Sequence, residues 1–357
     1  MLAVTLVGGL VGCASASQVP TSVASPSVAP ASPGRAVLKL GSIEEIATTH
    51  RGVFGLSAWK DHFAWGQTTE SNQTPNSVMV YDLRTRTGAE VAAGKSRGQI
   101  DPVVGGADDE DLVFFVQLGN AISDLNPNTT WTLSAVNTKS GARKEIAAEP
   151  RPSLGLSSPT PSVQGQWVAW AQLDPSTKKM ALMSFDLTAS KSRSLLPDVN
   201  PSVVSVWDGI VYYDSVDGAG HVDVYGLAAD GSGPPRKLTG SGLVALPRAA
   251  NGWLAWQEPQ RGDPQSEWLA PLDKPQSVIR LAGGTQGNGH PGAGFAIWLN
   301  SDGALVAGTG SGDDVVIDSG NVNVAARWSV FGDTVVWADH DKSAGLDKVR
   351  AVHIQAS

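Results

Sequence analysis

The stretch GQWVAW, Gly165–Trp170, returns further along the chain as NGWLAW, Asn251–Trp256. The two closing tryptophans are 86 residues apart, twice 43, and a period in the low forties is one of the spacings of repeat folds. Midway between them the chain reads DGIVYYD, Asp208–Asp214, with Tyr213 in the tryptophan's place. Taking the last aromatic of each apolar tetrad as a marker gives Trp65, Phe115, Trp170, Tyr213, Trp256, Trp298 and Trp337, separated by 50, 55, 43, 43, 42 and 39 residues. These are seven units, with insertions in the first two intervals.

Around each marker the order is constant: an extended segment, a Gly or Asp turn, the marker strand, a polar loop, a third strand and a short fourth. In the third unit the pieces are TPSVQ, QWVAWAQ, KMALMSFDL and SRSLLP. Runs rich in Val, Ile and aromatic residues between turn residues are the signal of short strands. Four of them per unit at this period describe the blade of a β-propeller. The expected fold is therefore all-β, with seven four-stranded blades, or six if the glycine-rich sixth unit forms none. Blades pack face to face, so a large flat side chain on a central strand fills the wedge between neighbours, burying about 150–250 Å² for a Trp. The markers are expected in the core, away from any ligand.

The ring's closure is also legible. The last unit stops after its third strand, KVRAVHIQ, Lys348–Gln355, while GSIEEIATT, Gly41–Thr49, resembles the fourth strands GARKEIAAE, Gly141–Glu149, and GAEVAAG, Gly88–Gly94. An N-terminal strand completing the C-terminal blade would remove the exposed edges that template aggregation.

Residues 36–357 resemble the TolB-like β-propeller group of bacterial envelope proteins, whose repeats carry P-x-x-S-G-x-x-V-A-W, then a strand ending DL and a TG turn. The matching pieces are TPSVQGQWVAW and SFDL in unit three, LPRAANGWLAW in unit five and VYDLRTRTG in unit one. The chain departs from the group's members in lacking their frequent S-P-D-G and a separate N-terminal domain. The resemblance therefore implies a fold and an envelope setting but does not carry over their partners.

The N-terminal segment points the same way. MLAVTLVGGLVGC is an apolar run too short for a membrane span and of signal-peptide length. It lacks a preceding Lys or Arg, so residues 1–12 are expected to be a lipoprotein signal peptide that is truncated. The chain's one cysteine, Cys13, ends LVGC, which resembles a bacterial lipobox; ASA, Ala14–Ala16, offers a rival cleavage site. A single Cys forms no disulfide within the chain. Lipidation of Cys13 would tether the protein outside the cytoplasmic membrane. Residues 13–35, rich in Ser, Ala and Pro, read as a spacer reaching up to roughly 60 Å.

With 357 residues, 41% hydrophobic and 17% charged, the chain exceeds one ordinary core unless it is modular. Its 40 glycines and 12 tryptophans fit many turns and short strands. A net charge of −8 without a Lys/Arg cluster excludes a nucleic-acid groove. A monomer is expected, with no cofactor and with the membrane reached only through the lipid.

Catalytic signatures are missing. There is no G-x-S-x-G, H-E-x-x-H or P-loop, and GTGSGDD, Gly308–Asp314, reads as a hairpin turn. ADHD, Ala338–Asp341, reads as a solvated turn, since adjacent extended residues point in alternating directions. DSVDGAG, Asp214–Gly220, reads as a Gly-rich hairpin; it lacks the ligand alternation of a calcium loop. No metal site is expected.

Topology offers more. Pro102, Pro161, Pro201, Pro247 and Pro291 open the innermost strands of five units. The residues before them, Asp101, Thr160, Asn200, Leu246 and His290, are expected to recur around the channel mouth. The plain explanation is that Pro starts a strand where no ladder bond is needed; the functional one is a ring of polar groups orienting a ligand. The long loops Gln67–Ser77 and Gln117–Thr130 open on that face, where binding usually sits. On the opposite face Trp59, Trp207 and Phe331 occupy turns six residues before their markers; they either tuck under their blades or anchor a partner.

Two functions compete. One is a lipid-anchored extracytoplasmic platform that binds an envelope protein or cell-wall polymer without catalysis. The other is an extracytoplasmic glycan hydrolase or lyase with acids assembled around the channel, which fold alone does not exclude.

Overall fold

A computed structural model describes residues 37–356. Residues 51, 69–74, 94–98, 107–110, 120–129, 149–158, 175–176, 178, 259–265, 282–288, 311–313, 321 and 324–327 are not described, and of 93 and 99–101 only the backbone is. Among the described residues there is no helix.

The strands form seven antiparallel sheets in chain order. Blade one comprises β3 (Val53–Trp59), β4 (His62–Gln67), β5 (Ser77–Asp82) and β6 (Thr87–Ala93), and blade two β7 (Gln99–Gly105), β8 (Leu112–Leu118), β9 (Trp131–Asn137) and β10 (Arg143–Ala148). Blade three holds β11 (Ser162–Gln164), β12 (Trp167–Asp174), β13 (Lys179–Asp186) and β14 (Lys191–Leu196); blade four holds β15 (Val204–Trp207), β16 (Ile210–Val216), β17 (Val222–Ala228) and β18 (Arg236–Lys237). Blade five has β19 (Ala245–Ala250), β20 (Trp253–Glu258), β21 (Ser266–Pro271) and β22 (Ile279–Arg280), and blade six β23 (His290–Pro291), β24 (Ala296–Leu299), β25 (Leu305–Gly308) and β26 (Val315–Asp318). Blade seven combines β27 (Trp328–Phe331), β28 (Thr334–Asp341) and β29 (Leu346–Ala356) with β1 (Leu38–Leu40) and β2 (Glu44–Thr49) from the start of the chain.

The closure has the expected form and extends further. Glu44–Thr49 pairs with Asp347–Ala351, and Leu38–Leu40 pairs with Ile354–Ala356, so one long strand is covered twice by N-terminal residues.

All seven markers are at most 2% exposed. Each packs backward onto the preceding blade. Trp170 lies with Phe114 and Leu133 of blade two, Tyr213 with Leu182 of blade three, Trp256 with Val224 of blade four, and Trp298 with Leu269 of blade five. Trp65 sits against Val336 and Val349 of blade seven and closes the circle. Three of the marker indoles find an acceptor, while the buried Nε1 of Trp65 and of Trp298 has none among the described residues. Trp170 donates to Gln172 at 2.8 Å and Trp256 to Glu258 at 3.1 Å, each two residues on; Trp337 donates to Asp318 of blade six at 2.9 Å.

The sixth unit does form a blade, and its glycines explain how. A Cβ on Gly308 would stand 2.5 Å from the Trp298 ring, and one on Gly292 within 2.8 Å of three Phe295 ring atoms. Small residues there admit two fully buried aromatics, Trp298 on the four-residue β24 and Phe295 just before it.

ADHD corrects one expectation: it lies in β28 rather than in a turn. Its side chains alternate as extended residues must. Asp339 is buried with Arg350 at 2.8 Å, and His340 bonds Asp347 at 2.6 Å. DSVDGAG is a hairpin, its turn held by Asp217 accepting the amides of Ala219 and His221. GTGSGDD joins β25 to β26, its residues 311–313 lying outside the described set.

Candidate functional site

The innermost strands surround a central cavity of about 340 Å³ to which every blade contributes. Its structure follows from one register position. In each blade the residue paired with the one just before the marker faces the cavity: Ser57, Val103, Ser162, Ser205, Arg248, His290 and Ser329, paired with Ala64, Phe114, Ala169, Tyr212, Ala255, Ile297 and Val336. These seven form a collar.

The serines of the collar staple neighbouring blades. Each Oγ accepts the backbone N–H of the residue just past the next described collar position: Ser329 from Ala58 at 3.1 Å, Ser57 from Val104 at 3.1 Å and Ser205 from Ala249 at 2.9 Å. Ser162 does the same for Val206 at 2.9 Å. In blade six the residue past the collar is Pro291, which has no N–H to satisfy. The collar position facing it needs no acceptor, and Arg248 stands there in place of serine. The next position is His290, its ring tilted against Trp328 at 6.0 Å.

Behind the collar lies Glu267, fully buried, accepting from Gln257 Nε2 at 2.6 Å. Burial pushes its carboxyl up to about 7; the Gln257 bond, the Gly289 amide and the Arg248 guanidinium oppose the rise. Asp214, also raised by burial, accepts both the hydroxyl and the amide of Ser202 at 2.7 Å. Neither carboxylate lines the cavity. Among its described lining residues there is no Asp or Glu, and Arg248 carries the permanent charge.

At the far end the lining includes Asn251, held at φ +51° in the turn after β19. Its Nδ2 donates to Pro291 O at 2.9 Å and its Oδ1 accepts from Gly332 N at 3.1 Å, so it spans the short blade six and ties blades five and seven.

The channel-mouth candidates are not at equivalent places. Thr160 and Leu246 each stand two residues before the collar and line the cavity. Asp101 holds the same register two residues before Val103; its side chain lies outside the described set. His290 is a member of the collar itself. Asn200 is exposed and precedes β15 by several residues, because Pro201 does not begin that strand. Pro102 and Pro247 sit in bulges, between Ile100 and Val103 and between Ala245 and Arg248, where the missing N–H costs no ladder bond.

The aromatics of the other end turn inward. Trp59 and Phe331 meet edge to face at 4.7 Å, with Trp59 9% exposed. Trp207 is half-buried against the cluster between blades four and five. All three line the cavity, and none stands as a free anchor on the surface. Most of the loops 67–77 and 117–130 fall outside the described residues. Sequence reasoning passed over the serines and Arg248, although all lie eight residues before their markers, the signal that would have found them.

No protein-family model and no curated protein matches the sequence. Among solved structures, the oligogalacturonate lyase of Vibrio parahaemolyticus is similar with a TM-score of 0.57 and 10% identity, over 88% of this chain and 96% of that one. A prolyl endopeptidase is similar with a TM-score of 0.54 and 13% identity, over 88% of this chain and 51% of that one. TolB of Acinetobacter baumannii has a TM-score of 0.47 and 10% identity over 80% of this chain, which spans 61% of the TolB chain. At such identities the likeness speaks to the fold alone, and the seven sheets make the chain a seven-bladed β-propeller.

Proposed function

We propose that the protein is an extracytoplasmic propeller, tethered by a lipid on Cys13, that serves as a non-catalytic binding platform for an envelope protein or a cell-wall polymer. The observation that supports binding is the central cavity. Seven blades build it, its polar groups converge, and among the described residues no carboxylate faces it. Glycoside hydrolysis needs two carboxyl groups about 5–9.5 Å apart across a cleft. Here Asp214 and Glu267 are each buried behind the wall and held there, Asp214 by Ser202 and Glu267 by Gln257 and the Gly289 amide. The glycan-active reading, hydrolase or lyase, draws on the oligogalacturonate lyase likeness; for its hydrolytic form the described lining offers no acid pair. The mouth, onto which the long loops Gln67–Ser77 and Gln117–Thr130 are expected to open, is the face assigned to the partner.

The test is crosslinking in cells followed by capture of the tethered protein, compared with a variant whose Gln67–Ser77 and Gln117–Thr130 loops are shortened. Loss of a captured partner from the variant is expected. Equal recovery of every partner would overturn the assignment of this face.

A further inference from the structure

The collar serines hold more bonding capacity than their staples use. A serine hydroxyl carries one proton and two lone pairs. In Ser57, Ser162, Ser205 and Ser329 one lone pair accepts a backbone N–H of the next blade. None of the four protons meets an acceptor among the described residues, and each Oγ keeps its second lone pair. Ser202, also on the wall, differs: it donates to Asp214 at 2.7 Å and accepts from Leu246 N at 3.1 Å. The collar serines stand on two sides of the ring. Ser329 and Ser57 belong to the adjoining blades seven and one, and Ser162 and Ser205 to blades three and four across the cavity.

The far end has a different chemistry. There the positions six residues before the markers place Trp59, Gln164, Trp207 and Phe331 in the lining. Gln164 Oε1 accepts the Asp208 amide at 3.0 Å, while its Nε2, with two N–H donors, has no partner among the described residues. One level of the cavity thus offers hydroxyls that can both give and accept, and the next offers aromatic rings with a side-chain amide. A sugar has the complementary pattern, with hydroxyls round its rim and apolar C–H faces that lie on aromatic rings. An extended peptide instead asks for a row of backbone partners along a strand edge. At the collar those edge amides, of Ala58, Val104, Val206 and Ala249, are already bonded to the serines.

We propose that the central cavity binds one neutral sugar unit, its hydroxyls bonded by the collar serines and its far side held by Gln164, Trp59 and Trp207. The cavity, about 340 Å³, is of the size that encloses a compact ligand, roughly 300–1,000 Å³. The two serine pairs bond the sugar from opposite sides, the Gln164 Nε2 donates to an oxygen beneath it, and the indoles cover its apolar face. The described lining holds no Asp or Glu, so no carboxylate competes for the serine protons. The proposal rests on the platform reading in taking the cavity as a place of recognition, and it names the ligand class.

The test is calorimetric titration of the purified full chain with the methyl β-glycosides of D-glucose, D-galactose and N-acetyl-D-glucosamine, and with acetyl-dialanine amide as a peptide probe. At least one glycoside is expected to bind at a single site, and the peptide is not. Val103→Phe fills the collar from blade two without touching a staple and should weaken the glycoside about tenfold or more. Gln164→Leu should weaken it about threefold to tenfold. A thermal melt checks that the variants are folded. Should Val103→Phe fail to fold, the Gln164 side-chain amide resonances of the wild-type chain take its place, and they should shift on adding the glycoside and not the peptide. Binding of no glycoside, binding of the peptide as tight as that of the best glycoside, unchanged affinity in folded Val103→Phe or unmoved resonances would each overturn the site. Such a failure leaves loop-dependent partner capture untouched, and loss of that capture leaves the titration standing, so the two readings fail separately.

Discussion

Glu267→Gln should remove a large part of the protein's dependence on pH and stabilise it above neutrality. Glu267 is fully buried at the start of β21, beside Gln257 and behind Arg248. Its carboxyl ionises at 4.5 in an ordinary setting and at about 7 here. Below 4.5 both the folded and the unfolded chain hold the proton, and the group costs the fold nothing. Between the two values the folded chain keeps a proton that the unfolded chain has released, so stability falls as pH rises. Above about 7 the folded chain must ionise as well, and the full penalty, about 3 kcal/mol, is in force. Glutamine has the same shape, keeps an oxygen for the Gln257 amide and never ionises. Urea unfolding of both proteins at about pH 4.5, 6 and 8 reads the effect, because groups common to both cancel in the difference. The variant should gain about 3 kcal/mol on the wild type across that range. A difference that stays constant within about 0.5 kcal/mol would refute the placement of an acid in this dry pocket.

Other expectations follow from the wedges, the closure and the anchor. Trp170→Ala empties a fully buried site between blades two and three and should cost about 3–5 kcal/mol in chemical denaturation; a loss under about 1 kcal/mol would contradict the wedge role. Removing residues 36–49 strips β29 of both its outer partners and should yield a chain that self-associates on gel filtration, where an unchanged monomer peak and melting point would count against the closure. Cys13→Ser should move the protein from the membrane fraction to the soluble extracytoplasmic one, and unchanged partition would remove the lipid anchor from the account.

The markers were legible in the sequence because one steric demand, filling the wedge between neighbouring sheets, repeats at every interface and so imposes a period. The closure was legible because Gly41–Thr49 repeats the pattern of a fourth strand. The collar escaped notice because its logic lies between units. That Ser57 serves Val104, and that Arg248 faces a proline, follows only once the strands are in register. Counting from prolines misplaced the ring for the same reason: Pro201 precedes its strand, and Pro291 follows its collar residue. In isolation the aromatics six residues before the markers leave two readings open, tucked under their blades or anchoring a partner. In the ring, Trp59 of blade one and Phe331 of blade seven are neighbours and bury each other.

Recognition is proposed at the channel mouth. Site-specific photo-crosslinking in cells tests it directly, with the probe at Asn200 on the mouth side or at Asp208 in a turn of the opposite face, both exposed. Adducts with a partner from position 200 and none from position 208 are predicted; adducts from position 208 alone would contradict the claim.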